Sequence, residues 1–170
     1  MAQGPRYRVP LKRRRENRTD YRSRKALIKS ELPRAVVRKS NRHVRVQIID
    51  FAMEGDKVIA SGYSGELADI GWKGNCDNTP GAYLTGFLAG TRSIEAGVKE
   101  AVLDIGRHVP VKGSVIFAAL KGLLDAGMTL PHSEEVLPNE DRVSGKHLSE
   151  GTQKNFTAVK TKMMKKGGDK

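Results

Sequence analysis

The first 45 residues limit what this chain can fold into more than any other stretch. They hold 16 Lys/Arg against 3 Asp/Glu, a net charge of +13. Like charge at that density has no place in a core, where an ion must be paired or give up its charge. Residues 46–153 hold 9 Lys/Arg and 15 Asp/Glu, a net of −6, and residues 154–170 hold 6 Lys and one Asp, a net of +5. A globular body therefore has to come from the acidic middle, with cationic segments at both ends. A chain that was basic only for solubility would spread its charge. A concentrated arm is the electrostatic footprint of a polyanion binder. The arm is rich in Arg, whose planar fork grips phosphate through two hydrogen bonds and stacks on bases. An anionic membrane surface needs point charge beside an apolar face. The arm has few large apolar residues, so nucleic acid is the favoured partner and no membrane is expected.

The remaining composition narrows the class. A length of 170 residues suits one domain plus tails, and an apolar content of 38% is low enough that part of the chain is expected to fold only against a partner. No apolar run is long enough for a transmembrane helix. The charged N-terminus lacks the apolar stretch of a secretory signal. Cys76, the one cysteine, excludes an internal disulfide framework and fits a reducing compartment, so a cytoplasmic protein is expected. His43, His108, His132 and His147 are scattered without zinc-ligand spacing. Gly62-Tyr63-Ser64-Gly65 is not a nucleophile elbow, and there is neither a Walker loop nor a dinucleotide fingerprint. No metal or cofactor is expected.

Residues 1–10 hold two prolines and a glycine and should be extended, ordering only on a partner. Residues 11–33 contain no proline or glycine until Pro33, which predicts one basic helix opened by Pro10 and closed by Pro33. Leu11, Tyr21, Ile28 and Leu32 give it only a thin apolar seam, so it should be marginal alone. Three strands are predicted over 34–40, 43–53 and 57–64, joined by turns at Ser40-Asn41-Arg42 and Glu54-Gly55-Asp56. Residues 65–78 read as a polar connection holding Trp72. A helix capped by Thr79, with Pro80 in its first turn, should run to Gly97, and Gly86 and Gly90 leave a groove on it for close packing. A short strand over 101–105, a helix over 114–126, a brief edge strand at Thr129-Leu130 and a short helix from Asn139 over 140–148 follow. Residues 154–170 read as a solvated Lys-rich tail. The order βββαβα(β) predicts an α/β fold with a mixed sheet and helices on both faces, a three-layer α/β/α domain. The division is then a basic extension and helix over 1–33, a globular domain over 34–131, a polar segment with a short helix over 132–153, and a tail over 154–170.

Two groups of residues are candidates for chemistry. Asp50 and Asp104 lie on strands of a mixed sheet, and a carboxylate pair of that kind holds Mg²⁺ in nucleases; ordinary solvated strand ends are the plainer reading. The basic features carry more. Arg13, Arg14, Arg15, Arg18, Arg22, Lys25 and Lys29 recur at spacings that place them along one stripe of a helix, suited to a phosphate ridge. Tyr7 and Tyr21 are interleaved with them as rings on which bases stack, although Tyr21 suits the role of apolar anchor equally well. Trp72 is expected in the core instead. The hairpin tip RKSNRH (38–43) groups three cations with Ser40, Asn41 and His43, donors and acceptors for phosphate, ribose hydroxyl or base edge. A general DNA-binding module is a further reading of the same charge.

The stretch RRRENRTDYRSRKALIKSELPRAVVRKSNRHVRVQI (13–48) closely resembles the start of large-subunit ribosomal protein eighteen in its archaeal form, kin to eukaryotic large-subunit protein five. AYLTGFLAGTRSIEAG (82–97), EAVLDIGRHVPVKGSVIFAALKGLLDAG (100–127) and PHSEEVLPNEDRVSGKHL (131–148) resemble the same family, so the likeness spans nearly the whole chain. The resemblance implies no catalytic activity and a ribonuclease H-like body. It implies binding to 5S rRNA and attachment of that RNA to large-subunit rRNA in the central protuberance, beside neighbouring ribosomal proteins. It places RNA contacts on Arg13, Arg14, Arg15, Arg18, Thr19, Tyr21, Arg22, Arg24 and Lys25, and on Arg38, Lys39, Ser40, Asn41, Arg42 and His43.

Overall fold

Alternating side chains between residues 34 and 63 build the sheet, because β-branched residues at every second position can all be buried on one face. A computed structural model describes residues 4–168; the extended reading of residues 1–3 and the tail reading of 169 and 170 fall outside them. Strand β1 (Arg34–Lys39) pairs antiparallel with β2 (Val44–Asp50), and β2 pairs antiparallel with β3 (Lys57–Tyr63). Strand β4 (Val102–Asp104) lies parallel to β1, giving a mixed four-stranded sheet in the order β3-β2-β1-β4. The expected Thr129 edge is a single parallel bridge to Glu100. Register places Ala35, Val37, Val44, Val46 and Ile48 on one face, all fully buried. Each such side chain contributes about 1.5–3 kcal/mol through burial.

That face is covered by α4 (Thr79–Glu95) and α5 (Val115–Asp125). Helix α4 begins one residue earlier than expected. Its cap is Asn78, whose side chain accepts from the Gly81 N–H at 2.9 Å, while Thr79 is the first helical residue and is buried. The small-residue groove exists and is tighter than contact between side chains. A Cβ on Gly86 would lie 2.1 Å from the carbonyl oxygen of Ala119, and one on Gly122 would lie 2.1 Å from that of Tyr83. The two backbones therefore touch, which only glycine permits.

Three expectations are corrected. The single helix over 11–33 is two short ones, α1 (Lys12–Arg15) and α2 (Tyr21–Ile28). Between them Asn17 takes φ 52°, a left-handed conformation that Asn tolerates better than most residues. Asp20 then caps a fresh start, so repulsion among stacked cations is relieved by a break rather than carried along a rod. Leu11, assigned to the apolar seam, is 65% exposed. The polar connection over 65–78 contains a 3₁₀ turn, Ser64–Glu66, running into α3 (Leu67–Ile70), which buries Leu67; Trp72 is buried as expected.

The largest correction is at the C-terminus. A short helix, α6 (Glu140–Val143), follows Asn139. The solvated tail over 154–170 is instead most of α7 (Glu150–Gly168). Phe156, Val159 and Met163 are buried, and their spacing of three and four residues puts them on one helical face. The Phe156 ring lies 5.4 Å from that of Tyr83, and Asn155 bonds the Lys73 N–H and the Gly71 carbonyl at 3.1 and 3.0 Å. The boundary expected at 153/154 thus falls inside a packed helix. Among the described residues no helix is long and apolar enough to cross a membrane.

Candidate nucleic-acid interface

The sheet face opposite α4 and α5 carries Arg34, Val36, Arg38 and Arg45, with Asp104 beside Val36 on β4. Arg34 is buried, donating to Asp104 Oδ2 at 2.9 Å and to Asp56 Oδ2 at 2.8 Å. Asp56, in the β2–β3 turn, also accepts from Arg24 of α2, with both carboxylate oxygens 2.9 Å from one guanidinium nitrogen. A chain of charges, Arg24–Asp56–Arg34–Asp104, thereby fastens the basic helix to the sheet. Breaking a buried pair by removing one partner costs about 3–5 kcal/mol, because the other charge is left uncompensated.

This clamp sets which way α2 faces. Tyr21, Arg24, Leu27 and Ile28 are half-buried toward the body, whereas Arg22, Lys25 and Lys29 are exposed. The Arg14 guanidinium sits 5.6 Å over the half-buried Tyr21 ring, so this ring ties α1 to α2. Tyr7 is 47% exposed. Asp20 accepts from the Ser23 hydroxyl at 2.7 Å and from the Arg22 and Ser23 N–H groups at 3.0 and 3.3 Å. The Ser23 hydroxyl, followed by those amides and the charge of Arg107, holds its carboxyl below the usual carboxylate range. Arg13 donates to the Thr19 hydroxyl at 2.9 Å and Arg18 pairs with Glu16 at 3.1 Å, both at the surface.

The hairpin tip divides between turn chemistry and open groups. Ser40 closes the turn, accepting from the His43 N–H at 3.0 Å and donating to the His43 carbonyl at 3.0 Å. His43 is half-buried, its Nδ1 3.3 Å from the Ser64 hydroxyl and its ring 4.9 Å from that of Tyr63. Lys39, Asn41 and Arg42 are exposed. Arg38 donates to the Val37 carbonyl at 3.1 Å and lies against Gly106, where a Cβ would come within 2.7 Å of its guanidinium. The tip and the loop after β4 are therefore neighbours.

The structure accordingly sorts the candidates. Arg15, Arg22, Lys25, Lys39, Asn41 and Arg42 offer exposed groups, and Arg13, Arg14 and Arg18 are exposed with local partners. Arg24, Ser40 and His43 hold the protein together instead. The single helical stripe is replaced by two short basic segments, with a basic hairpin elsewhere on the sheet. Sequence reasoning missed Asp20 as a helix cap, although an Asp just before a helical run is a recognised start signal. It also missed Arg107 and the loop around it, because its nearness to the arm depends on β4 pairing with β1.

Asp50 and Asp104 are not brought together. Asp50 is exposed at the end of β2, in register with Lys57. Asp104 is two strands away and neutralised by Arg34, a separation of roughly 10 Å across the sheet with a similar offset along it. Among the described residues no group of three or more His, Cys, Asp or Glu gathers around a common point.

Residues 5–100 match the family model described as ribosomal large subunit proteins 60S L5, and 50S L18. The large ribosomal subunit protein uL18 of Aeropyrum pernix is 57% identical over 151 residues, covering 88% of this chain and 71% of that protein. Its counterpart in Korarchaeum cryptofilum is 54% identical over 154 residues, covering 91% of this chain and 79% of its own length. That of Haloarcula marismortui is 53% identical over 150 residues, covering 88% and 80%.

Proposed function

The chain belongs to the family of ribosomal large subunit proteins 60S L5 and 50S L18, in its archaeal form, and we propose that it binds 5S rRNA and helps attach it to large-subunit rRNA in the central protuberance. Its role is structural and not enzymatic, as a component of the large ribosomal subunit in translation. Large-subunit rRNA and neighbouring ribosomal proteins of the central protuberance are its other partners. The same reading takes the body as ribonuclease H-like, which the strand order β3-β2-β1-β4 supports. It treats residues 1–33 as the RNA-facing extension and the globular body as the scaffold that carries it.

One observation carries the reading. An arm too basic to pack is clamped to the sheet by Arg24 and Asp56, and the clamp leaves Arg15, Arg22 and Lys25 exposed, as the hairpin cations Lys39 and Arg42 also are. Phosphate contacts of this kind set affinity and register. Asn41, at the tip between cations, supplies an amide for a base edge or ribose hydroxyl. If the arm and hairpin neutralise about 6–10 phosphates, affinity falls roughly 10³–10⁵-fold between 50 and 200 mM salt, taking the duplex DNA slope as a guide. Chemical footprinting of 5S rRNA tests the reading. The protein should protect a defined segment of the RNA, and the R15Q/R22Q/K25Q variant should lose part of that protection. A footprint identical for the two proteins contradicts it.

A further inference from the structure

The loop joining β4 to α5 spans residues 105–113. Together with Lys39 at the end of β1 and Arg142 of α6, it lines an open hollow of about 480 Å³. Four basic side chains border this hollow: Lys39, His108, Lys112 and Arg142. Lys39, Lys112 and Arg142 are exposed. Lys112 pairs with Glu135 at 2.8 Å while both side chains remain largely in water. Lys39 and Arg142 form no ion pair among the described residues. Ser114, on the same wall, precedes the first turn of α5 but does not cap it, and its buried hydroxyl oxygen has no hydrogen-bond partner among the described residues.

The hollow adjoins the end of the hairpin and the loop after β4. Lys39 belongs to the hairpin, Arg38 lies over Gly106 at the start of the loop, and Arg107 acts on Asp20 at the cap of α2. Cations drawn from β1, the β4–α5 loop and α6 thus converge from three separate parts of the chain. The net charge of −6 over residues 46–153 makes that convergence a local exception on an acidic body.

We propose that this hollow is a second RNA-phosphate site, in which Lys39, Lys112 and Arg142 hold the backbone of the same RNA that lies along the arm. The proposal rests on the RNA-binding reading above and extends it from the arm onto the body. It makes the interface two-sided, with the RNA backbone held at α1–α2 and again beside α5.

The test compares K112Q/R142Q with the arm variant R15Q/R22Q/K25Q, both in the full chain, by 5S rRNA affinity over a range of salt and by footprinting. Each lost phosphate contact lowers the slope of log affinity against log salt by about 1. The expected result is a slope reduced by about 2 in K112Q/R142Q, with loss of a patch of protection different from the one the arm variant loses. Wild-type slope and footprint in K112Q/R142Q, alongside weakened binding by the arm variant, overturn the second site and leave the RNA-binding reading standing. Wild-type behaviour in both variants overturns both. A K112Q/R142Q protein that loses affinity for inorganic phosphate but keeps its RNA slope and footprint assigns the hollow to free anions, which also overturns the proposal.

Discussion

Asp56 shows how a negative charge serves a polyanion binder. It adds repulsion toward RNA, yet it receives Arg24 and Arg34 together and so fixes the face that α2 presents. Asp56→Asn should therefore weaken 5S rRNA binding although it makes the protein more cationic, and it should cost about 1.5–3 kcal/mol of stability through lost charge-assisted hydrogen bonds. Glu54→Gln, an exposed neighbour in the same turn, is the control and should leave binding unchanged or slightly tighter. Tighter binding by Asp56→Asn would mean that total charge, not geometry, governs affinity. Tyr83 is a second residue whose surroundings make a prediction. Burial, then its 2.5 Å hydrogen bond to Asp125, pushes its phenol far above the ordinary tyrosine value of 10.0. Because the folded-state value is raised, the stability it contributes is complete below pH 10.0 and is lost as pH rises beyond it. Alkaline titration of phenolate absorbance should give the same curve for wild type and Tyr83→Phe until the chain unfolds. A smaller signal from Tyr83→Phe in the folded range would contradict this environment.

At the scale of elements, the contact between α4 and α5 is set by glycine. Gly122→Ala places a methyl carbon 2.1 Å from the Tyr83 carbonyl oxygen and should destabilise by about 1–3 kcal/mol or more. Gly151→Ala meets nothing within 4 Å at the start of α7 and should be neutral or stabilising by up to about 1 kcal/mol. Urea midpoints at unchanged slope separate the two; equal midpoints would argue against direct backbone packing. These helices and strands β1 to β3 were legible in the sequence because periodicity and turn residues agree over each of them. The break in the basic arm was not, since nothing in Glu16-Asn17-Arg18 forbids a helix, and the decision falls to Asn17 and the Asp20 cap. Helix α7 was legible in principle from Phe156, Val159 and Met163. Its Lys-rich composition masked the pattern, and its partners on α3 and α4 lie some 70 to 90 positions earlier. The same limit applies to the site. A charge run announces which residues are available to RNA, but the withdrawal of Arg24 into a pair with Asp56, 32 positions away, is a property of the fold.

Across the whole molecule, charge and structure are divided between different parts of the chain. An acidic body folds around one apolar sheet face and two tightly packed helices. A basic arm, too polar to fold around a core of its own, is fastened to the opposite face through four charged residues. The body therefore sets which face α2 presents, and on the proposed reading the arm and the hairpin supply most of the grip on RNA. The most direct measurement is the salt dependence of 5S rRNA affinity for the wild type and for R15Q/R22Q/K25Q, with far-ultraviolet circular dichroism confirming that the body stays folded. The variant should keep its fold and show a slope shallower by about 3, one unit for each phosphate contact removed. A slope equal to that of the wild type would contradict the assignment of the arm as the main RNA-binding surface.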